Sequence, residues 1–214
     1  VFEVGYFLDV FQNVWFDTVY HEHLDYHTVK PLIPFFTKFD MRLLSVERIK
    51  PQGGSIRVTT GKISELTDQD HSVEQLVMIE DDLGVGDAGT LKGFQLHIDR
   101  VRDDLVTLVR KLRSEGQSIV GYGAPTKAIT LLTHFQLGDG ILDFIVDDNP
   151  LKQNLFSPGH HIPVRKADEI YASNPDYVLI LAWNFAEAIM EKHDLYRQQG
   201  GRFIIPMPSP HIVI

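Results

Sequence analysis

The sequence predicts an α/β protein. Across residues 116–214, short continuous apolar runs alternate with helix-patterned segments, as expected of a parallel sheet covered on both faces. Residues 1–70 have a different texture, mixing short apolar stretches with a patch rich in His and aromatic side chains, and read as a smaller α+β segment. Between them Leu91, Phe94, Ile98, Val101, Leu105, Leu108 and Leu112 recur at alternating intervals of three and four, which predicts one long helix. Crossovers between parallel strands are right-handed, so the last region reads as a Rossmann-like half-barrel of about four or five strands. The expected division is 1–70, a helical connector over 71–115, and a Rossmann-like domain over 116–214.

In chain order, Lys30–Phe39 reads as a helix, with Pro31 acceptable near its start and Pro34 less so. Met41–Ile49 and Ser55–Thr60 read as strands around the turn sequence Pro51-Gln52-Gly53-Gly54. The long helix offers its apolar stripe to its own domain or, alternatively, to a second copy in a homodimer, while Arg100, Asp103, Arg110 and Lys111 fill other faces. Gly116 ends it. Then follow a strand at Ser118–Gly121, a helix over 126–135, a strand at Leu142–Val146 and a helix over 166–172. A strand at Tyr177–Leu181, a helix near 185–199 stopped by Gly200-Gly201, and a strand at Arg202–Ile205 complete the series.

Composition narrows the function. A chain of 214 residues buries about 70% of the surface its unfolded form exposes, enough for a real core. The formal net charge of −9, without a basic stripe, argues against a nucleic-acid partner. With no Cys, neither disulfides nor a thiolate zinc site can form here. No apolar run approaches the roughly 20 residues a membrane helix needs, so the cytoplasm is the default expectation. The chain opens on Val1 without a lead-in, as a segment of a longer protein would, although a processed terminus would look the same.

Three stretches could carry chemistry. In Tyr20-His21-Glu22-His23, imidazole beside a carboxylate suits proton abstraction near neutral pH; a polar turn or cap explains the same residues, and a His-x-His metal site lacks a third ligand by spacing. Gly121-Tyr122-Gly123-Ala124-Pro125-Thr126-Lys127 stands where a parallel strand passes into a helix, a position suited to phosphate, with Lys127 adding charge. Thr126 occupies the third-glycine position of a dinucleotide fingerprint, and a tight turn needing Gly is the competing reading. In Asp147-Asp148-Asn149-Pro150-Leu151-Lys152, Asp147 lies nearest the strand and is placed to accept ribose hydroxyls. Trp183-Asn184 points to the same carboxyl edge.

These stretches occur in order with two more. Phe16-Asp17-Thr18-Val19-Tyr20-His21-Glu22-His23-Leu24, Gly53-Gly54-Ser55-Ile56-Arg57, the Gly121–Lys127 and Asp147–Gln153 segments, and Pro158-Gly159-His160-His161-Ile162-Pro163 together resemble the S-adenosylmethionine-dependent C-methyltransferases that build branched deoxysugars on nucleotide diphosphates. The resemblance implies a zinc-binding lobe and a methyl-donor domain ahead of this chain, which would begin at the last strand of the donor domain. Neither the zinc nor the S-adenosylmethionine site would then lie in it. It also implies His23 as the base that deprotonates a keto sugar, with Tyr20 and Glu22 near the sugar. Ser55, Arg57, Gly121, Gly123, Ala124, Lys127, Asp147, Lys152 and Asn184 would bind a nucleotide diphosphate sugar, thymidine type favoured. Gln52 stands where members often carry His, Asp148 where Arg is frequent and Asn154 where Gly is frequent; these departures bear on sugar and base recognition more than on reaction class. A nucleotide-binding or interaction module without chemistry is the alternative, and a nicotinamide-dependent oxidoreductase, which needs the glycine that Thr126 replaces, is the third reading.

Overall fold

A computed structural model gives the structure of the chain and describes residues 1–49, 54–64, 68–138 and 140–214. They form two compact units: residues 1–16 with 21–97, and residues 17–20 with 98–214. The Pro51-Gln52-Gly53 part of the expected turn, and with it Gln52, lies outside the described residues.

The first unit holds β1 (Phe2–Gly5), α1 (Phe7–Asn13), α2 (Val29–Thr37), β2 (Met41–Ile49), β3 (Ser55–Lys62), α3 (Ser72–Leu83) and the start of α4 (Ala88–Ser114). β3 lies between β1 and β2 and runs antiparallel to both. Alternation along β3 sends Ile56 and Val58 into the core. A register irregularity between Leu43 and Ser45 on β2 shifts the inward face by one residue, so that Leu43 and Val46 both face inward. Thr28 gives α2 no side-chain cap. The buried carboxylate of Glu80 on α3 caps it instead, accepting from the N–H of Val29 (2.6 Å), that of Lys30 (2.9 Å) and the hydroxyl of Tyr6 (2.8 Å). Pro31 falls in the first turn, where no intrahelical bond is lost, whereas Pro34 removes one.

The second unit is an open sheet of six strands in the order β6-β5-β4-β7-β8-β9. Its strands are β4 (Ile119–Tyr122), β5 (Ile145–Asp147), β6 (Val164–Lys166), β7 (Tyr177–Ile180), β8 (Arg202–Ile205) and β9 (His211–Val213). The first five in chain order are parallel, and β9 adds antiparallel to β8. Helices α5 (Thr126–Phe135), α6 (Glu169–Ser173), α7 (Ala186–Lys192) and α8 (Asp194–Gln198) join them. One sheet face packs Val120, Tyr122, Val146, Val178 and Ile180 against Ile170, Ile189 and Tyr196. The α4 C-terminus closes with paired bonds, Gly116 N–H to Arg113 C=O (3.0 Å) and Gln117 N–H to Leu112 C=O (3.1 Å), with Gly116 at φ +82°. No helix among the described residues is long and apolar enough to cross a membrane.

The Rossmann-like α/β class stands, with corrections of detail. The sheet has six strands because β6 and β9 join it. Residues 164–166 form a strand where the helix over 166–172 was expected to begin; with one buried side chain in three, β6 has no periodicity to read and is defined by its pairing with β5. The stretch 185–199 is two helices, broken at His193, which turns into the core at φ −111°. On α4, Val109 rather than Leu108 is buried and Leu91 is exposed. A straight helix drifts by about 20° per heptad relative to a 3.5-residue repeat, enough to bring Val109 under the stripe.

Candidate functional site

In the second unit β5 and β6 extend to one side of β4, while β7, β8 and β9 extend to the other. Ligands of open α/β sheets bind outside the carboxyl ends of the strands at such a reversal. Gly123, just past β4, sits at φ +89°, and a Cβ there would come within 2.6 Å of the Ala182 Cβ, just past β7. Glycine is thus required both by conformation and by the close approach of the two strand ends.

The N–H groups of this turn are already engaged. Gly121 donates to Phe144 C=O (2.9 Å), Gly123 to Val146 C=O (2.7 Å) and Ala124 to the Asp147 carboxylate (2.6 Å). Asp147 is 8% exposed and also accepts from the Asn149 N–H at 2.8 Å. Lys152 bonds the Ala124 carbonyl (2.9 Å) and lies 3.6 Å from the Asp147 carboxylate. The negative charge at the glycine turn is therefore a side chain of the protein itself, tied in by Lys152. Asn154, at φ +63°, holds the left-handed conformation that glycine adopts most readily and asparagine tolerates.

Lys127 turns elsewhere. Its ammonium lies over the Trp183 ring, 4.1 Å from the centroid, and the Trp183 indole N–H donates to Asp17 at 2.7 Å. Asp17 is fully buried, and burial pushes its carboxyl above the usual carboxylate range, against the pull of Lys127 and the indole. Burial pushes the Lys127 ammonium down, with Asp17 opposing. Asn184, next to Trp183, is exposed.

The remaining expected site residues lie as follows. His21 and Glu22 are exposed, 4.0 Å apart, whereas His23 is half-buried with its ring edge-on to Tyr26 at 6.3 Å. Tyr20 is half-buried. Ser55 is buried at the start of β3, and a Cβ on the preceding Gly54 would fall on the Asp9 side chain. The Arg57 guanidinium lies between Glu3 (3.5 Å) and Glu47 (3.3 Å) on the neighbouring strands. Among the described residues no group of three or more His, Asp or Glu side chains is arranged to hold a metal ion.

Residues 50–208 match the family model described as the C-methyltransferase C-terminal domain. The chain belongs to that family. It is also 33% identical over 211 residues to a protein of Streptomyces niveus named C-methyltransferase NovU, covering 99% of this chain and 50% of that relative. The chain thus spans about half the length of the curated relative it matches.

Two arrangements in this C-methyltransferase C-terminal domain escape a reading of the sequence. One is the Asp17–Trp183 bond, which joins residues 166 positions apart. The other surrounds His193, which is 3% exposed. The Asp148 carboxylate can only accept, so the Tyr122 hydroxyl donates to it (2.9 Å). That proton being committed, His193 Nε2–H donates to the Tyr122 oxygen (2.8 Å), and Nδ1 accepts from the Tyr171 hydroxyl (2.9 Å). For a neutral imidazole the network thereby selects one tautomer.

Burial pushes His193 below the usual histidine value, with Lys192 adding to the effect and Asp148 and Asp168 opposing. As pH falls past about 6.5, the unfolded chain protonates this residue before the folded chain does. The stability supplied by the neutral imidazole is complete above that value and is lost as pH falls through the folded one. Denaturant midpoints followed from about pH 7.5 to about pH 5 should therefore drop more steeply for the wild type than for His193→Gln. Parallel curves would show that His193 does not couple to folding.

Proposed function

We propose that this chain is the substrate-binding and catalytic C-terminal part of an S-adenosylmethionine-dependent C-methyltransferase acting on a nucleotide-linked keto-deoxysugar in deoxysugar biosynthesis. The observation that carries the proposal is the family match over 50–208, joined to a carboxyl edge at which Lys127 offers a cation beside the strand reversal. The likeness to the Streptomyces niveus C-methyltransferase, along nearly the whole chain, supports the same reaction class.

His23 is assigned as the base that takes the proton from the carbon next to the sugar carbonyl, with Tyr20 and Glu22 beside the sugar. Electron density released by that step forms the new carbon–carbon bond. S-adenosylmethionine, when bound to the complete enzyme, supplies the methyl group. No residue of this chain is assigned to hold it: of its three Gly-x-Gly sequences, the one at a strand–helix junction, Gly121-Tyr122-Gly123, follows Ile119-Val120 without an acidic residue ahead of it, and its N–H groups are engaged within the protein. For the same reason the diphosphate is assigned to the first turn of α5 and the Lys127 ammonium rather than to the Gly121–Ala124 backbone. Ser55, Arg57, Asp147, Lys152 and Asn184 stay assigned to the substrate, Asp147 and Lys152 through the turn they hold. Zinc is assigned to sequence outside this chain, and the cytoplasm is the proposed compartment.

Calorimetric titration of the chain with thymidine diphosphate, S-adenosylmethionine and NAD in parallel tests this reading. Binding of the diphosphate alone is expected. Binding of S-adenosylmethionine would move the donor site into this chain, and NAD binding would replace the proposal with an oxidoreductase. Silence from all three would mean that the site needs the rest of the enzyme or that the Gly121 loop is only a turn.

A further inference from the structure

We infer that Asp17 and Trp183 are positioning residues for Lys127, holding its ammonium unpaired at the carboxyl edge so that an anionic ligand can take it. The inference rests on the assignment of the diphosphate to Lys127 and adds how that cation is kept available.

A half-buried lysine is ordinarily held by an ion pair, which would also occupy it. Here, among the described residues, no carboxylate or carbonyl bonds the ammonium, and the Trp183 π-face 4.1 Å away receives it instead. A ring face stabilises the cation while leaving its N–H donors for a ligand. The ring is in turn oriented by Asp17, whose Oδ2 accepts the indole N–H at 2.7 Å. Segment 17–20 is fastened to α5, the helix that carries Lys127, by the Thr130 hydroxyl donating to Val19 C=O (3.1 Å). The other Asp17 oxygen is buried with no hydrogen-bond partner. An unsatisfied buried carboxylate oxygen is costly, and a packing role for the tryptophan alone would not call for one. Its negative charge has a use in the Lys127 cation, with which it interacts electrostatically. Three residues from distant parts of the chain thus form one assembly: an acid that aims a ring, and a ring that carries a cation.

The test is thymidine diphosphate binding to the complete enzyme, measured by calorimetry as a function of pH. Lys127→Met should weaken binding at least about ten-fold, the scale of a lost hydrogen bond to a charged group, and Trp183→Leu by about ten-fold, within the range of cation–π contacts, with Trp183→Phe retaining part of the affinity as a milder check on folding. Asp17→Asn keeps an acceptor for the indole, so affinity at neutral pH should change by less than about threefold. Because the carboxylate charge is gone, the alkaline limb of binding, where Lys127 loses its proton, should move to lower pH. If Lys127→Met weakens binding while the Trp183 and Asp17 variants match the wild type in affinity and pH limb, the positioning role is refuted and the diphosphate assignment stands. If the wild type does not bind, or Lys127→Met has no effect, the diphosphate assignment fails. The positioning role is then decided by the titration of Lys127 itself, followed by NMR of labelled lysine Cε. A lowered value in Asp17→Asn supports it, and an unmoved one overturns it.

Discussion

Replacing His23 by alanine in the complete enzyme should lower kcat by about 10²–10⁴-fold, the range a positioned general base contributes. Three titratable groups compete for that role in consecutive positions, and their surroundings separate them. The His21 and Glu22 side chains are 77% and 64% exposed, so neither is enclosed by packing. His23 is half-buried, with its ring packed nearly perpendicular to Tyr26 (81°), and Tyr26 in turn meets Phe7 at 6.1 Å. Further along, the bridge between Tyr6 and His27 ties the segment to the core. An imidazole packed in this way is more readily aimed at a carbon-bound proton than one that is mostly exposed. His21→Ala should therefore change kcat by less than about threefold. The decisive measurement is solvent deuterium exchange at the substrate carbon next to the carbonyl, since it reports proton removal without methyl transfer. Exchange at the wild-type rate in His23→Ala would place the base elsewhere.

What the sequence discloses and what it hides follow from the range of the interactions involved. Met41–Ile49 and Thr126–Phe135 are bounded as read, because a turn sequence beside an apolar run and helical periodicity are local signals that persist over several residues. β6 and β9, three residues each, exist through their neighbours in the sheet and carry no local pattern. The break at His193 has no Gly or Pro to announce it; it arises because the imidazole pairs with Tyr122 and Tyr171, 71 and 22 positions away. At the carboxyl edge the glycine turn and Lys127 were legible as residue types at a strand–helix junction. The partners that decide what they do, Asp17 for one and Asp147 for the other, come from elsewhere in the chain and show only in three dimensions.

Asp147 makes the distinction measurable. Its spacing from the glycine turn suggests a ribose ligand at the surface, whereas the structure shows its carboxylate accepting from Ala124 and Asn149 and offsetting Lys152 from a nearly buried position. Truncation to alanine would leave two loop N–H donors without acceptors and Lys152 without its counter-charge. Asp147→Ala should then lower unfolding free energy by about 3 kcal/mol, at one to three for each stranded donor less what water recovers. That is a large share of the roughly 5–15 kcal/mol typical of folded proteins. Asp147→Asn keeps one acceptor oxygen and should lose about half as much. Urea denaturation read from the midpoint and slope checks both values. A ribose ligand predicts the opposite signature, a fold unchanged within about 0.5 kcal/mol and a weakened affinity for thymidine diphosphate. If the stability loss is found, any weakening of nucleotide binding follows from the turn, since Gly123 and Ala124 set the start of α5 and so the place from which Lys127 projects.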